Sequence, residues 1–163
     1  MYQAAAAPSF EAGALAPSVE TRFGAVELDP ERIVTFSAGP LGFSDRCRFI
    51  LVDGPDPRGV FRLLQCLDDP ELAFLVLPLE PDAGPIADDD LRVACQSRGL
   101  DWASLAVLGI VTARVEPEGA RFTVNLKAPL LIDTRRRSGC QHVLASDRYR
   151  IREPLPLSSD HGG

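Results

Sequence analysis

The sequence predicts a mostly β protein, a small closed antiparallel barrel-like fold carrying one or two short helices. Three observations point there. About ten short apolar runs of strand length stand against one helical pattern, with no regular alternation of strand and helix. Fourteen Pro and thirteen Gly in 163 residues interrupt the chain too often for a helical bundle. Strands so short and so numerous leave many edges, and closure is what hides them.

Residues 1–18 are rich in Ala, Pro and Ser and read as a disordered N-terminal extension, because they hold too little large apolar surface to offset the entropy of ordering. Residues 19–157 read as one β domain, and 158–163 as a flexible tail. Within the domain, Thr21–Leu28, interrupted at Gly24, is followed by Arg32–Phe36, Phe49–Asp53, Phe61–Cys66 and Ala73–Leu77, separated by Asp-Pro, Gly-Pro and Asp-Gly-Pro turn signals. Next, Asp88, Asp89 and Asp90 precede Leu91, Ala94 and Cys95 at helical spacing. Acids belong at a helix start, and Gly99 offers the stop. The apolar run Leu105–Val115 and the alternating Ala120–Leu126 form a hairpin around Glu116-Pro117-Glu118-Gly119. Leu130–Asp133 and Gln141–Leu144 form a second around an Arg-rich turn, and Tyr149–Arg152 supplies the last strand.

Charge and special residues narrow the function classes. Lys+Arg is 17 against Asp+Glu 23, a net charge of −6, so the surface as a whole repels a nucleic acid. Four dispersed cysteines and two histidines offer no metal-ligand spacing, and no cofactor-binding motif is present. The N-terminal stretch has no Lys or Arg before Arg22, and no apolar run reaches membrane-spanning length, so a cytoplasmic protein without a membrane partner is expected.

Candidate chemistry is sparse. Asp68, Asp69 and Glu71 cluster around Pro70, where Asp-Pro is ordinary turn punctuation and a pair of catalytic carboxylates is the sharper alternative. Cys140 and His142 sit two apart on a predicted strand and could begin a thiolate–imidazole pair oriented by Asp147, a thiol-dependent hydrolase. Arg135, Arg136 and Arg137 form a charged hairpin tip, a solvated feature in most proteins. No catalytic residue is assigned.

Several phrases, in order, resemble the FliW family of flagellar assembly factors: Phe23-Gly24 with Val26-Glu27-Leu28; Ile33-Val34-Thr35-Phe36 followed by Gly39-Pro40-Leu41-Gly42-Phe43; and Leu64-Gln65 followed by Asp68-Asp69-Pro70-Glu71-Leu72-Ala73-Phe74. Val124-Asn125-Leu126, Ala128-Pro129-Leu130, Gly139 and Gln141 with Val143-Leu144, and Tyr149, Ile151-Arg152 and Pro154-Leu155 continue the likeness, which covers about residues 21–155. Lys127 stands where the pattern has an apolar residue, and Asp133 where it has Asn.

The resemblance implies a non-enzymatic partner switch. Members bind newly made flagellin in the cytoplasm and, when free, bind and antagonise the RNA-binding translational regulator CsrA, coupling flagellin synthesis to export. Competition for one limiting protein requires no chemistry, and an acidic surface suits a basic partner. A monomer when free is expected, with no cofactor, metal or direct nucleic-acid contact. The candidate partner-binding residues are Leu41, Phe43 and Asp45 in one turn, Asp68, Asp69 and Glu71 in a second, and Asn125 and Lys127 before Ala128-Pro129. The alternative reading is a stand-alone β-barrel protein-interaction module.

Overall fold

The computed structural model describes residues 17–21, 24–54 and 58–156. The expected disordered extension, up to residue 16, and the C-terminal tail lie outside the described residues. Ser18, placed in that extension by composition, opens the first strand.

The strands are β1 (Ser18–Thr21), β2 (Gly24–Glu27), β3 (Ile33–Phe36), β4 (Arg48–Asp53), β5 (Arg62–Cys66) and β6 (Ala73–Leu79). After the helix α1 (Asp88–Arg98) come β7 (Leu105–Glu116), β8 (Gly119–Val124), β9 (Leu130–Asp133), β10 (Ser138–Gln141) and β11 (Glu153–Pro154). Neighbours in the large sheet run β11-β8-β7-β6-β5-β4-β3-β10-β9, and β9 returns to pair with β7. Strands β3, β4, β5, β6, β7, β9 and β10 therefore form a closed ring of seven. A ring with an odd number of strands cannot alternate direction throughout. The parallel pair β3–β10, with Ser138 opposite Thr35, resolves this, and every other step is antiparallel.

The apolar run that forms β7 is long because the strand has two duties. Leu105–Leu108 pairs with β9 inside the ring, whereas Val111–Glu116 runs on past it and pairs with β8. Alternation then separates two cores. Leu130 and Ile132 point into the barrel with Phe36, Phe49, Leu64 and Val76. Leu131 points outward, where Leu91 and Ala94 of α1 pack against it with Val107 and Leu144. A smaller cluster, Val26 with Ile50 and Leu67, seats the β1–β2 hairpin on the barrel wall. Phe36, Phe49, Leu64 and Leu130 are wholly buried, each contributing about 1.5–3 kcal/mol, which outweighs any surface ion pair here.

Beyond shifts of one or two residues at strand ends, three elements differ from those expected. Thr21–Leu28 is not one strand: Thr21 ends β1 and Gly24–Glu27 forms its antiparallel partner β2, with the Thr21 hydroxyl donating to the Gly24 carbonyl at 2.8 Å. The strand expected at Gln141–Leu144 begins earlier, at Ser138, because Gly139 and Cys140 pair with β9. Beyond it, His142 and Leu144 still donate to the Pro129 and Lys127 carbonyls. Tyr149–Arg152 is a turn and not a strand, since Tyr149 is buried with its hydroxyl donating to Asp90 and accepting from the Ala87 N–H. It pins the start of α1, and the pairing with β8 falls to Glu153 and Pro154. The helix is the one expected, with its three acids in the first turn and a left-handed Gly99 after its last residue.

Candidate functional site

The connection from β3 to β4 is a compact double turn at one end of the barrel. The Phe43 N–H donates to the Pro40 carbonyl at 2.7 Å, and that of Arg46 to the Phe43 carbonyl at 2.9 Å. Gly39 makes this fold possible: a Cβ there would lie 2.1 Å from the Phe43 oxygen and 2.2 Å from the Arg46 oxygen. The turn presents Leu41, 61% exposed, and Phe43, 37% exposed. One edge of Phe43 rests on Phe74, with ring centroids 5.5 Å apart, so the ring is anchored while part of its surface faces water. Asp45 is exposed and pairs with Arg46 at 2.6 Å.

The β5–β6 turn joins this loop. Buried Gln65 donates its amide to the carbonyls of Cys66, Pro70 and Leu72 at 3.0–3.1 Å and so shapes the turn from within. Asp68 Oδ2 accepts the N–H groups of Cys47 and Arg48, each at 3.0 Å. Its Oδ1 accepts from the Arg48 guanidinium at 3.1 and 3.2 Å. Burial pushes the Asp68 carboxyl upward, but those two N–H groups and the guanidinium outweigh it, and its pKa lies below the ordinary value. Asp69 accepts the Glu71 N–H and lies 3.6 Å from the Arg46 guanidinium. The Arg46 Nε at this seam is buried without a hydrogen-bond partner. Glu71 itself is exposed.

A third segment belongs to the same end. Gln141 Oε1 accepts the Leu41 N–H at 2.7 Å, and its amide donates to the Ala128 carbonyl at 2.9 Å. Asn125 Oδ1 accepts the Ala128 N–H at 3.0 Å, the backbone-capping role its residue type suggests. Lys127 places its amine on the Ser146 carbonyl at 2.7 Å, with Asp147 at 3.6 Å, so the departure from an apolar residue is accommodated by a half-buried stem and a satisfied ammonium.

The structure thus gathers all three groups of expected residues at one end of the barrel, and divides them by role. Asp68, Asp69, Asn125 and Lys127 are engaged in holding the loops, whereas Leu41, Phe43, Asp45 and Glu71 face outward. Gln65, Arg46, Arg48 and Gln141 were not among the candidates. Gln65 and Gln141 have a signal in the sequence, their place within the quoted phrases, where a long polar side chain beside buried positions has to find backbone partners; Arg46 and Arg48 lie outside those phrases.

The thiol-hydrolase arrangement does not form. Burial raises the Cys140 thiol above its ordinary value, which disfavours the thiolate. His142 lies beyond the end of β10, and its Nδ1 accepts from Arg98 Nε at 3.0 Å; Asp147 lies instead beside Lys127. Among the described residues no three His, Cys, Asp or Glu side chains group as metal ligands, and no helix is long and apolar enough to cross a membrane.

A family model described as FliW protein matches residues 18–155. The chain belongs to the FliW family. A relative in Carboxydothermus hydrogenoformans named flagellar assembly factor FliW is 33% identical over 138 residues, covering 83% of this chain and 86% of the relative. One of the same name in Bdellovibrio bacteriovorus is 36% identical over 139 residues, covering 83% and 76%. A crystal structure of the flagellar assembly factor FliW superposes with a TM-score of 0.63 at 26% identity, covering 85% of this chain and 96% of that one. The closed barrel is therefore the FliW fold, and the matched span includes every loop at the end just described.

Proposed function

We propose that this chain is a flagellar assembly factor that acts without catalysis in the cytoplasm, binding flagellin and, when free, binding and antagonising a CsrA-type regulator. Membership of the FliW family supports the role, and the barrel end supports a binding mechanism. Its carrying observation is Leu41 and Phe43 held outward on a braced turn. Phe43 is wedged on Phe74, and Leu41 is fixed through its N–H to Gln141. Apolar side chains ordered before binding lose little further entropy when an amphipathic helix covers them. Asp45 and Glu71 beside them carry negative charge suited to a basic partner.

A displacement experiment tests the switch. The chain is immobilised with the organism's CsrA-type protein bound, and monomeric flagellin is added. Release of the regulator in proportion to flagellin captured supports one shared limiting protein, whereas simultaneous retention of both rules out competition.

A further inference from the structure

The part of the β7–β8 hairpin that runs past the barrel carries an arrangement unrelated to the loops above. Strand register sets Thr112 opposite Thr123 and Arg114 opposite Arg121. Arg152 joins them from the turn before β11, which pairs with β8. These five side chains line one small concavity of about 120 Å³. Like charges directly opposite each other on a sheet oppose pairing. Glu116 offsets only one of the three, lying 3.0 Å from Arg121. Neither Arg114 nor Arg152 has an ion pair, and neither threonine hydroxyl has a hydrogen bond, among the described residues.

We propose that this concavity binds a phosphoryl group. Arg114, Arg152 and the guanidinium N–H groups of Arg121 that Glu116 does not occupy supply forked donors, and the Thr112 and Thr123 hydroxyls line the same concavity as further donors. A carboxylate has two oxygens to receive them, whereas a phosphoryl group has three or four and so uses the threonines as well. The volume is sufficient for one such tetrahedral group. A net charge of −6 disfavours a polyanion at long range while leaving a local site for a small ligand. The ligand class is therefore a free phosphate or a small phosphate monoester.

The test is a titration of the isotope-labelled protein, at constant ionic strength, with inorganic phosphate, adenosine monophosphate, acetate and a ten-nucleotide RNA, following the Thr112, Arg114, Thr123 and Arg152 amides. Saturable shifts with phosphate or the monoester, at least tenfold weaker in an Arg114→Gln/Arg152→Gln variant that melts like the wild type, support the site. The tighter of those two ligands identifies the free ion or the ester as its source. If the double variant fails to fold, Thr112→Val/Thr123→Val replaces it, with at least a threefold loss expected. Absence of saturation, equal binding by the variants, acetate as tight as phosphate, or RNA more than tenfold tighter than the monoester would each overturn the proposal.

Discussion

Asp68 binds Arg48 twice over, accepting its backbone N–H through Oδ2 at 3.0 Å and its guanidinium through Oδ1 at 3.1 and 3.2 Å. One carboxylate thereby locks the β5–β6 turn to the start of β4 and, through the Cys47 N–H, to the end of the loop carrying Leu41 and Phe43. An acid that opens the Asp68-Asp69-Pro70-Glu71 turn is thus a brace for the neighbouring loop.

Asp68→Asn removes the charge and leaves donors of the Arg48 guanidinium poorly matched, so a loss of about 1–3 kcal/mol at pH 7 is expected in urea unfolding. The folded-state pKa is depressed, so this contribution is complete above the unfolded value near 4. It is lost as pH falls through the lower folded value. The gap between wild type and variant should close in acid, and a gap constant from pH 7 down to the acid transition would refute the assignment.

How much of this was legible follows from the range of each interaction. Binary pattern located β3 to β9 and α1, because Leu130 and Ile132 alternate and Leu91, Ala94 and Cys95 repeat within a few residues. The β3–β10 pair was not legible, since Thr35 meets Ser138 only through ring closure and no local signal marks a parallel partner. Tyr149 read as a strand residue by type, yet its hydroxyl sits on Asp90 at the far side of the chain. The site residues were found as exposed-looking turns; that half of them are braces depends on partners such as Gln141, a hundred positions from Leu41.

Gly39→Ala should destabilise the protein by about 2 kcal/mol or more, because the new methyl meets two backbone oxygens that cannot swing aside. Gly42→Ala is the control. That residue has φ +89° but open space around it, so conformational strain of about 1–2 kcal/mol is its main cost. Chemical denaturation should rank Gly39→Ala as the worse of the two.

His142 is held below its ordinary pKa by burial and then by the positive charge of Arg98. Its neutral form is favoured in the folded chain, so stability is complete above about pH 6.5 and declines as pH falls through that value toward the folded one. His142→Gln should abolish this part of the pH dependence, read as the difference between melting temperatures of the two proteins from pH 7.5 to 5. An unchanged slope would place the titration elsewhere.

Asp45 and Glu71 are exposed, so Asp45→Lys/Glu71→Lys should alter folding stability by only about 0.5 kcal/mol per site. Facing a basic partner, the same reversal should slow association and flatten its salt dependence. Stopped-flow association with the CsrA-type protein at two ionic strengths checks this, and unchanged rates would exclude both carboxylates from that interface.

The central claim is that the braced turn receives flagellin, and calorimetric titration of monomeric flagellin into the wild type and a Leu41→Asp variant tests it most directly. Leu41 is exposed, so the variant should melt like the wild type. One-to-one binding by the wild type with affinity at least tenfold weaker in the variant is the predicted result; no binding heat with the wild type, or equal affinity in both, would contradict it.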